Sequence, residues 1–263
     1  MGKEDNFLTR IMRERRKDSH AAEREVSRDE LLWEREKRLE FHSLAAQLCD
    51  SRVPRVIAEI KRASPSAGVL RQVCEPAAIA KAYEAAGAIG ISVLTEPRHF
   101  LGAPGDIRSV RKVTALPILR KDFISEPYQV AEAAAWGADV VLLIVAALDP
   151  GRCELLFREA CELSLETIVE VHTAGDLKTA LACEGAIIGV NSRDLKTLQT
   201  DLAVAYELVK AIPNDRLCIA ESGIKTREDI LGLQAAGYDG FLIGESLLRE
   251  ESPGRALKAL REG

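Results

Sequence analysis

The chain has 263 residues, of which 47% are hydrophobic and 29% charged, and its formal net charge at pH 7 is -5. This composition is typical of a globular protein with a sizeable core, and the acidic balance argues against a nucleic-acid-binding protein, which would have a basic face. The longest apolar run, Val140 to Leu148, is too short to cross a bilayer and indicates a buried parallel strand. The six cysteines form no CxxC pair, which favours reduced, buried thiols in a cytoplasmic protein.

The N-terminal part is crowded with Arg, Lys and Glu and predicts two helices, roughly over residues 7–24 and 27–48. Ser27 and Glu30 form an S-x-x-E capping box at the start of the second helix. We therefore expect a helical extension over residues 1–50 and a catalytic domain over residues 51–263. Two roles are open for the extension: a solvated helix packed on the wall of the following domain, or a lid over its site.

The rest of the chain repeats one pattern. The segments AAGAIGISVLTE, AWGADVVLLIV, CEGAIIGVN and AAGYDGFLIGE each end a helix, turn at a glycine and enter an apolar strand. Their glycines, Gly87, Gly137, Gly185 and Gly237, recur about every 50 residues, which is two βα units of a barrel. Between them lie four more predicted strands, VIAEIKR, PILRKDF, TIVEVH and LCIAESG.

Strands that alternate with helices predict a parallel sheet. Eight such units predict an α/β fold of the closed (β/α)8 type, a TIM barrel, with the N-terminal extension outside it. The alternative is an open doubly wound sheet that binds a dinucleotide. It is disfavoured because no GxGxxG follows the first strand, which begins near Val56.

The inward face of each strand is apolar at its start and polar or ionisable near its end, since residues two apart point the same way. The sets are Ile57, Glu59 and Lys61; Leu119, Lys121 and Phe123; Val140, Leu142 and Ile144; Ile168, Glu170 and His172; Gly189, Asn191 and Arg193; and Glu221 with Gly223, Ser222 taking the opposite face. Barrel enzymes keep their chemistry at these carboxyl ends. We expect the charged groups to converge there as acid and base, with separate solvated ion pairs as the alternative. His172 is interpreted as a rim residue and Arg120 as an outer-face charge.

The loops after the seventh and eighth strands predict a phosphate site. Backbone N–H groups of Gly223, Gly244 and Glu245 can face an anion at a place where barrels often bind phosphate. The alternative is that these glycines only permit tight turns. The pattern of residues predicts a barrel with a polar mouth, but it does not indicate a particular reaction.

The segment AEIKRASPSAG, Ala58 to Gly68, resembles the signature of the indole-3-glycerol-phosphate synthase family, in which a strand carries E-x-K-R-x-S-P-S. Five further stretches agree in order: SVLTE with Phe100 downstream, ILRKDF, VEVH, GVNSRDL and AESGI. The resemblance covers residues 53–263. It implies ring closure, decarboxylation and dehydration of 1-(2-carboxyphenylamino)-1-deoxy-D-ribulose 5-phosphate to indole-3-glycerol phosphate, carbon dioxide and water, in tryptophan biosynthesis.

The resemblance also implies a small phosphorylated substrate, no metal, no organic cofactor, and neither a nucleic-acid nor a membrane partner. We expect a cytoplasmic monomer. A weak homo-oligomer, or contact with other enzymes of the tryptophan pathway, is the alternative.

The resemblance assigns a role to individual residues. Lys121 would protonate the ketone oxygen, Glu170 would be the base of the dehydration, and Glu59 would stabilise the cationic intermediate. Lys61 would neutralise an anionic group or act as the dehydrating acid. Asn191 would orient Glu170 or a hydroxyl of the substrate. The remaining implied site residues are Glu221 and Ser222 for the polar network; Phe100, Phe123 and Leu142 for the anthranilate ring; Arg193 for the carboxylate; Ser64 for the substrate; and Gly223, Gly244 and Glu245 for the phosphate.

Two expectations concern charge. Burial should lower the pKa of Lys121, so that it gives up a proton near neutral pH, although Lys121 and Glu170 should each favour the other's charged form. Glu245 stands where the family's phosphate loop often has Ser, Thr or Ala, so we expect its N–H to bind phosphate and its side chain to turn outward.

Two other functions compete with the synthase. Phosphoribosylanthranilate isomerase, another phosphate barrel, would use a Cys and Asp pair at the strand ends, and Glu59 with Lys61 disfavours it. A non-catalytic binding barrel is disfavoured because Lys121 and Glu170 are both present.

Overall fold

A computed structural model of the chain describes residues 6–38, 40–50, 54–71, 74–195 and 197–263. Its architecture is a closed barrel of eight parallel strands, which confirms the predicted fold. The strands are β1 (Val56–Ile60), β2 (Gly90–Leu94), β3 (Ile118–Lys121), β4 (Val140–Ile144), β5 (Glu166–Val171), β6 (Ile187–Asn191), β7 (Cys218–Glu221) and β8 (Gly240–Ile243). Each strand pairs with its neighbours in chain order, and β8 pairs with β1 to close the ring.

Helices surround the barrel, and several of them begin at a proline, whose fixed φ suits the first helical position. They are α4 (Pro76–Ala85), α5 (Pro104–Arg111), α6 (Pro127–Trp136), α7 (Pro150–Glu162), α8 (Ala174–Ala182), α9 (Ala203–Leu208), α10 (Arg227–Ala236), α11 (Glu245–Leu248) and α12 (Pro253–Glu262). Gly137 and Gly237 end α6 and α10 in the left-handed conformation, with φ of 103° and 118°, as the repeat predicts. No helix in the described ranges is both long enough and apolar enough to span a bilayer.

The N-terminal extension folds as three helices, α1 (Phe7–Glu25), α2 (Arg28–Glu36) and α3 (Leu44–Leu48). The capping box of Ser27 and Glu30 is present at the start of α2. The prediction of one helix from residue 27 to 48 is wrong, because the chain leaves the helix after Glu36. Arg38 binds the Asp139 carboxylate, and the N–H of His42 donates to the same group at 2.9 Å. These long-range bonds hold the backbone in a shape that the local sequence pattern does not show.

The interior of the barrel is an apolar core that the extension closes. Its layers include Ile57, Leu119, Val140, Leu142, Ile168, Ile219 and Leu242. Leu44 and Leu48 of α3 belong to the same cluster and lie at the strand starts, where the Glu166 carboxylate accepts from the N–H of Leu44 at 2.7 Å. A second cluster fills the space between the strands and the outer helices. Apolar contact is therefore continuous from the strand starts up to the ionisable layer.

The three helices of the extension take different positions. Leu8 and Ile11 of α1 join the barrel core at the carboxyl ends of the strands. The helix α2 lies on the wall beside α6, where the hydroxyl of Tyr128 donates to the carbonyl of Val26 at 2.9 Å. The predicted boundary at residue 50 adjoins residues 51–53, which lie outside the described residues.

The cysteines are all free. Cys74, Cys153, Cys183 and Cys218 are buried, as expected, whereas Cys49 and Cys161 are exposed.

Candidate active site

Charged side chains from four strands meet at the mouth of the barrel. Lys121 Nζ, at the end of β3, lies 2.5 Å from Glu221 Oε2 on β7 and 3.1 Å from Glu170 Oε2 on β5. Lys61 Nζ lies 2.6 Å from Glu59 Oε1 at the end of β1. The carboxylates of Glu59, Glu170 and Glu221 are buried, so these are not solvated ion pairs on separate surfaces.

These groups line a cavity of about 1030 Å³. Every residue that the sequence analysis assigned to the site lies on its wall: Glu59, Lys61, Ser64, Phe100, Lys121, Phe123, Leu142, Glu170, Asn191, Arg193, Glu221, Ser222, Gly223, Gly244 and Glu245. Alternate residues of each strand point inward, and parallel strands end at the same rim of the barrel. These side chains therefore meet in one cavity. The position of each residue is thus shown, whereas its chemical role stays a prediction.

The pKa of Lys121 is raised, and the expectation that it is lowered is wrong. Burial lowers the pKa, but the negative charges of Glu221, Glu170 and Glu59 together raise it by more than burial lowers it. Lys121 is therefore a firmly charged ammonium ion. It can release a proton readily only when substrate changes the charge around it.

The two carboxylates that share Lys121 differ in their affinity for protons. Burial raises the pKa of Glu221 to about 7, with the Lys121 charge opposing and the Glu170 charge adding to the rise. Burial also raises the pKa of Glu170, but the charges of Lys121 and His172 outweigh burial and lower it overall. Near neutral pH the site thus holds an ionised carboxylate beside one that is partly protonated, which is the separation that acid–base chemistry needs.

An apolar slot lies beside the charged layer. The rings of Phe100 and Phe123 are 6.0 Å apart at an interplanar angle of 38°. Leu142 and Ile144 of β4 continue the wall, and Phe7 of α1 reaches the same cavity. A flat aromatic group fits such a surface, and α1 contributes to its rim.

Cationic side chains lie on the opposite side of the cavity. Arg193, which follows β6, donates to Ser66 Oγ at 2.6 Å, and its Nη2 lies 3.3 Å from Glu245 Oε2. Glu245 also pairs with Arg249, Nη2 to Oε1, at 2.9 Å. The expectation that the Glu245 side chain turns outward is wrong, because two arginines hold its carboxylate at the cavity wall.

Glycines make room for two of the carboxylates. A methyl group at Gly244 would lie 2.6 Å from Glu59 Oε1, and one at Gly189 would lie 2.4 Å from Glu221 Oε1. Both distances are too short for real atoms. From the sequence, Gly244 is expected only to contact phosphate, and Gly189 lies on the inward face without a predicted function. A glycine inside a strand was the available signal, since it often marks a close approach.

A buried ion network behind Lys121 was also missed. Arg15 of α1 donates two hydrogen bonds to the Asp122 carboxylate, from Nε at 2.9 Å and from Nη2 at 2.7 Å. Arg120 lies 3.0 Å from the same carboxylate and 3.1 Å from Glu132. Arg120 does point to the outer helices, but it is fully buried rather than solvated. Short-range patterns do not predict a pair such as Arg15 and Asp122, whose members are far apart in the chain.

His172 was interpreted as a rim residue, and it also contacts the charged cluster, since its Nε2 lies 3.3 Å from Glu170 Oε1.

No group of three or more His, Cys, Asp or Glu side chains in the described ranges is arranged to hold a metal ion. The carboxylates at the mouth of the barrel are already paired with the ammonium groups of Lys61 and Lys121.

The fold and the site define a (β/α)8 barrel of the class that holds acid–base groups at the carboxyl ends of its strands. The family model described as Indole-3-glycerol phosphate synthase matches residues 8–260. A curated relative of that name from Carboxydothermus hydrogenoformans is 40% identical over 97% of this chain and 99% of its own. Others from Desulfosudis oleivorans and Acidithiobacillus ferrooxidans are 49% and 47% identical, over 78% and 79% of each chain. The chain belongs to the indole-3-glycerol phosphate synthase family, whose members are carboxy-lyases of tryptophan biosynthesis.

A solved structure shares the fold but shows nothing further. Thiamine phosphate pyrophosphorylase from Pyrococcus furiosus superposes with a TM-score of 0.60 over 83% of this chain and 96% of its own, at 15% identity.

Proposed function

We propose that the chain closes the indole ring of 1-(2-carboxyphenylamino)-1-deoxy-D-ribulose 5-phosphate and releases indole-3-glycerol phosphate, carbon dioxide and water. The observation on which this depends most is the Lys121 ammonium between the Glu170 and Glu221 carboxylates. It lies in the same cavity as an aromatic slot and a cationic wall. Family membership gives independent support.

The first step joins the aromatic carbon to the ketone carbon. As the new bond forms, the ketone oxygen gains charge and takes a proton from Lys121. The slot of Phe100, Phe123 and Leu142 holds the anthranilate ring, and Arg193 binds its carboxylate. Loss of carbon dioxide then leaves its bonding electrons in the ring and restores aromaticity.

The second step removes the hydroxyl group. Glu170 takes a proton from the ring, and Lys61, or Lys121 once reprotonated, gives a proton to the leaving oxygen. Glu59 stabilises the cationic intermediate and is held for this role by Lys61 at 2.6 Å. Asn191 orients Glu170, while Glu221 and Ser222 maintain the polar network. Each of these groups belongs to the chain itself, so the proposal needs neither a metal nor an organic cofactor.

Phosphate binding is assigned to the backbone N–H groups of Gly223, Gly244 and Glu245, with Ser64 as a further contact to the substrate. The left-handed φ of Gly223, 81°, turns the chain sharply at this point. Glu245, at the second of these glycine turns, contacts Arg193 at 3.3 Å.

We also propose that residues 1–50 form a helical extension of a catalytic barrel over residues 51–263, and that α1 limits access to the mouth. The contact of Phe7 with the cavity supports a lid role for α1. A cytoplasmic monomer is the simplest form of the enzyme, because one chain supplies every proposed site residue.

The decisive test is the fluorescence of indole-3-glycerol phosphate formed from the ribulose phosphate substrate, in the presence of EDTA. Activity that persists in the chelator supports the proposal. The matched control offers phosphoribosylanthranilate instead. Turnover of that compound, with none of the ribulose phosphate, would overturn the synthase in favour of the isomerase.

A further inference from the structure

The Glu245 carboxylate lies among cationic side chains at the wall of the cavity. Its Oε2 lies 3.3 Å from Arg193 Nη2, and its Oε1 lies 2.9 Å from Arg249 Nη2. The side chains of Glu245 and Arg193 are 31% and 23% exposed, so water only partly screens the pair. The contact joins the loop after β6 to the start of α11, which follows β8, and Arg193 also bonds to Ser66 in the loop after β1.

The surroundings of Glu245 favour a bound negative charge. Burial raises its pKa, but the hydrogen bond from Arg249 and the charges of Lys61 and Arg193 lower it overall. Three cationic groups thus surround one carboxylate. An anionic ligand that binds here must therefore compete with the Glu245 carboxylate for the same cationic side chains.

We propose that Glu245 is a built-in competitor, which holds Arg193 until an anionic group of the substrate displaces it. This inference rests on the proposed function, since it takes Arg193 as a contact for substrate. After displacement the carboxylate keeps its bond to Arg249, four residues along the chain, so it does not become an unpaired charge beside the ligand. The residue therefore sets how tightly anions bind at Arg193 rather than taking part in the chemistry.

Displacing the carboxylate costs every anionic ligand a similar free energy and so weakens the binding of each. A substrate with an aromatic ring gains further free energy in the slot of Phe100 and Phe123 and can displace the carboxylate. Free inorganic phosphate lacks that gain and should bind poorly. Glu245 would thereby protect the enzyme from inhibition by small anions.

The test compares Glu245→Gln with Glu250→Gln. Glu250 is exposed and lines the same cavity, so its variant removes one negative charge from the rim as a control. Dissociation constants for inorganic phosphate and for anthranilate are measured separately by calorimetry, and KM for the ribulose phosphate is measured by fluorescence. Unfolding temperatures confirm that both variants are folded.

We expect Glu245→Gln to tighten at least one probe and to lower KM, each on the order of threefold to fivefold, with changes below about twofold in Glu250→Gln. A gain for phosphate alone identifies the phosphate as the displacing group, and a gain for anthranilate alone identifies the carboxylate. Equal effects in the two variants, or no tightening of either probe, would overturn the proposal. A wild-type protein without synthase activity, whose Glu245→Gln variant still binds a probe more tightly, would overturn the proposed function and leave the competition intact.

Discussion

The Lys121 ammonium lies 2.5 Å from Glu221 Oε2, and its charge acts against the rise in the pKa of Glu221 that burial causes. Glu170 reaches the same ammonium at 3.1 Å. One cation thus serves two buried carboxylates, so the proton affinity of each depends on the other. Changes at any of the three should appear in both activity and pH dependence.

Lys121→Met should remove the proposed acid and leave the buried carboxyl groups of Glu170 and Glu221 without their shared cation. Turnover should fall by on the order of a thousandfold or more, while a fluorescent product analogue still binds. Lys121→Arg is the control, because it keeps the positive charge but cannot release the proton. Arg should therefore preserve more stability than Met at pH 8 without restoring turnover. A Met variant with near-normal kcat would remove Lys121 from the mechanism.

Glu221→Gln should change how stability depends on pH. The pKa of Glu221 is about 7 in the folded protein, above its ordinary value of 4.5. Between these values the folded state holds a proton that the unfolded state has lost, so this group's contribution to stability is full below 4.5 and is lost as pH rises through 7. Gln does not titrate. The free energy of unfolding of the variant, relative to wild type, should therefore rise by on the order of 2 kcal/mol between pH 5 and pH 8.

Urea denaturation at intervals of pH measures this difference. A difference that stayed constant, or fell with rising pH, would show that Glu221 does not hold a proton near neutrality in the folded protein.

His172→Asn should raise the pKa of Glu170, because the His172 charge is one of the causes that lower it. The Lys121 charge and the hydrogen bonds from Lys121 and Asn191, which also lower this pKa, remain in the variant. A protonated Glu170 cannot act as the base, so the acidic limb of kcat/KM against pH should move to higher pH. His99→Asn is the matched control, since His99 contacts Glu14 at 3.3 Å outside this cluster. An unmoved limb in His172→Asn would return His172 to a passive rim position.

Arg15→Met tests how firmly α1 is fixed above the mouth. The Asp122 side chain is fully buried and loses its bidentate partner, although Arg120 remains 3.0 Å away. Breaking such a buried pair should lower the free energy of unfolding by about 3 kcal/mol. The neighbouring variant Arg16→Met breaks the Arg16–Glu126 pair, whose arginine is 61% exposed, and should lower it by less than about 1 kcal/mol.

Substrate KM in the same two variants tests the lid role of α1, which should appear as a rise in KM for Arg15→Met alone. Deleting residues 1–50 would be a poorer test, because it also removes Leu44 and Leu48 from the barrel core. Equal KM values in wild type and Arg15→Met would argue against a lid.

The sequence predicted the fold well because each strand and helix leaves a local pattern. Glycine turns and apolar strands mark the βα units, and the period of two assigns Glu59, Lys121 and Glu170 to the inward face. What the sequence could not predict depends on distant partners. The net charge around Lys121 follows from three carboxylates on other strands, and the break after α2 depends on Asp139.

The side-chain direction of Glu245 was missed for the same reason. Its partner Arg193 lies 52 positions away, and a local motif comparison treats position 245 as part of a phosphate loop alone. The face of a strand on which a residue lies can be predicted from the sequence. The charges that surround its side chain depend on residues of other strands and are known only from the folded barrel.

Gly189→Ala should disturb Glu221 without touching a charged group directly. The added methyl would lie 2.4 Å from Glu221 Oε1 and 2.7 Å from Ile168 Cγ2, so the carboxylate must shift from its position beside Lys121. Turnover should fall by on the order of tenfold, and overpacking should lower the free energy of unfolding by about 1 to 3 kcal/mol. Gly105→Ala is the control, because its methyl would meet nothing within 4 Å and lies on α5, where alanine favours the helix.

A double-mutant cycle decides whether Glu221 is the reason. If Gly189 is required because of that carboxylate, Gly189→Ala should reduce turnover much less in a Glu221→Ala background than in the wild type. Strictly additive effects on kcat would instead mean that the clash with Ile168 explains the loss. Only the first result would show that the absence of a side chain on β6 fixes the position of a proton-holding group on β7.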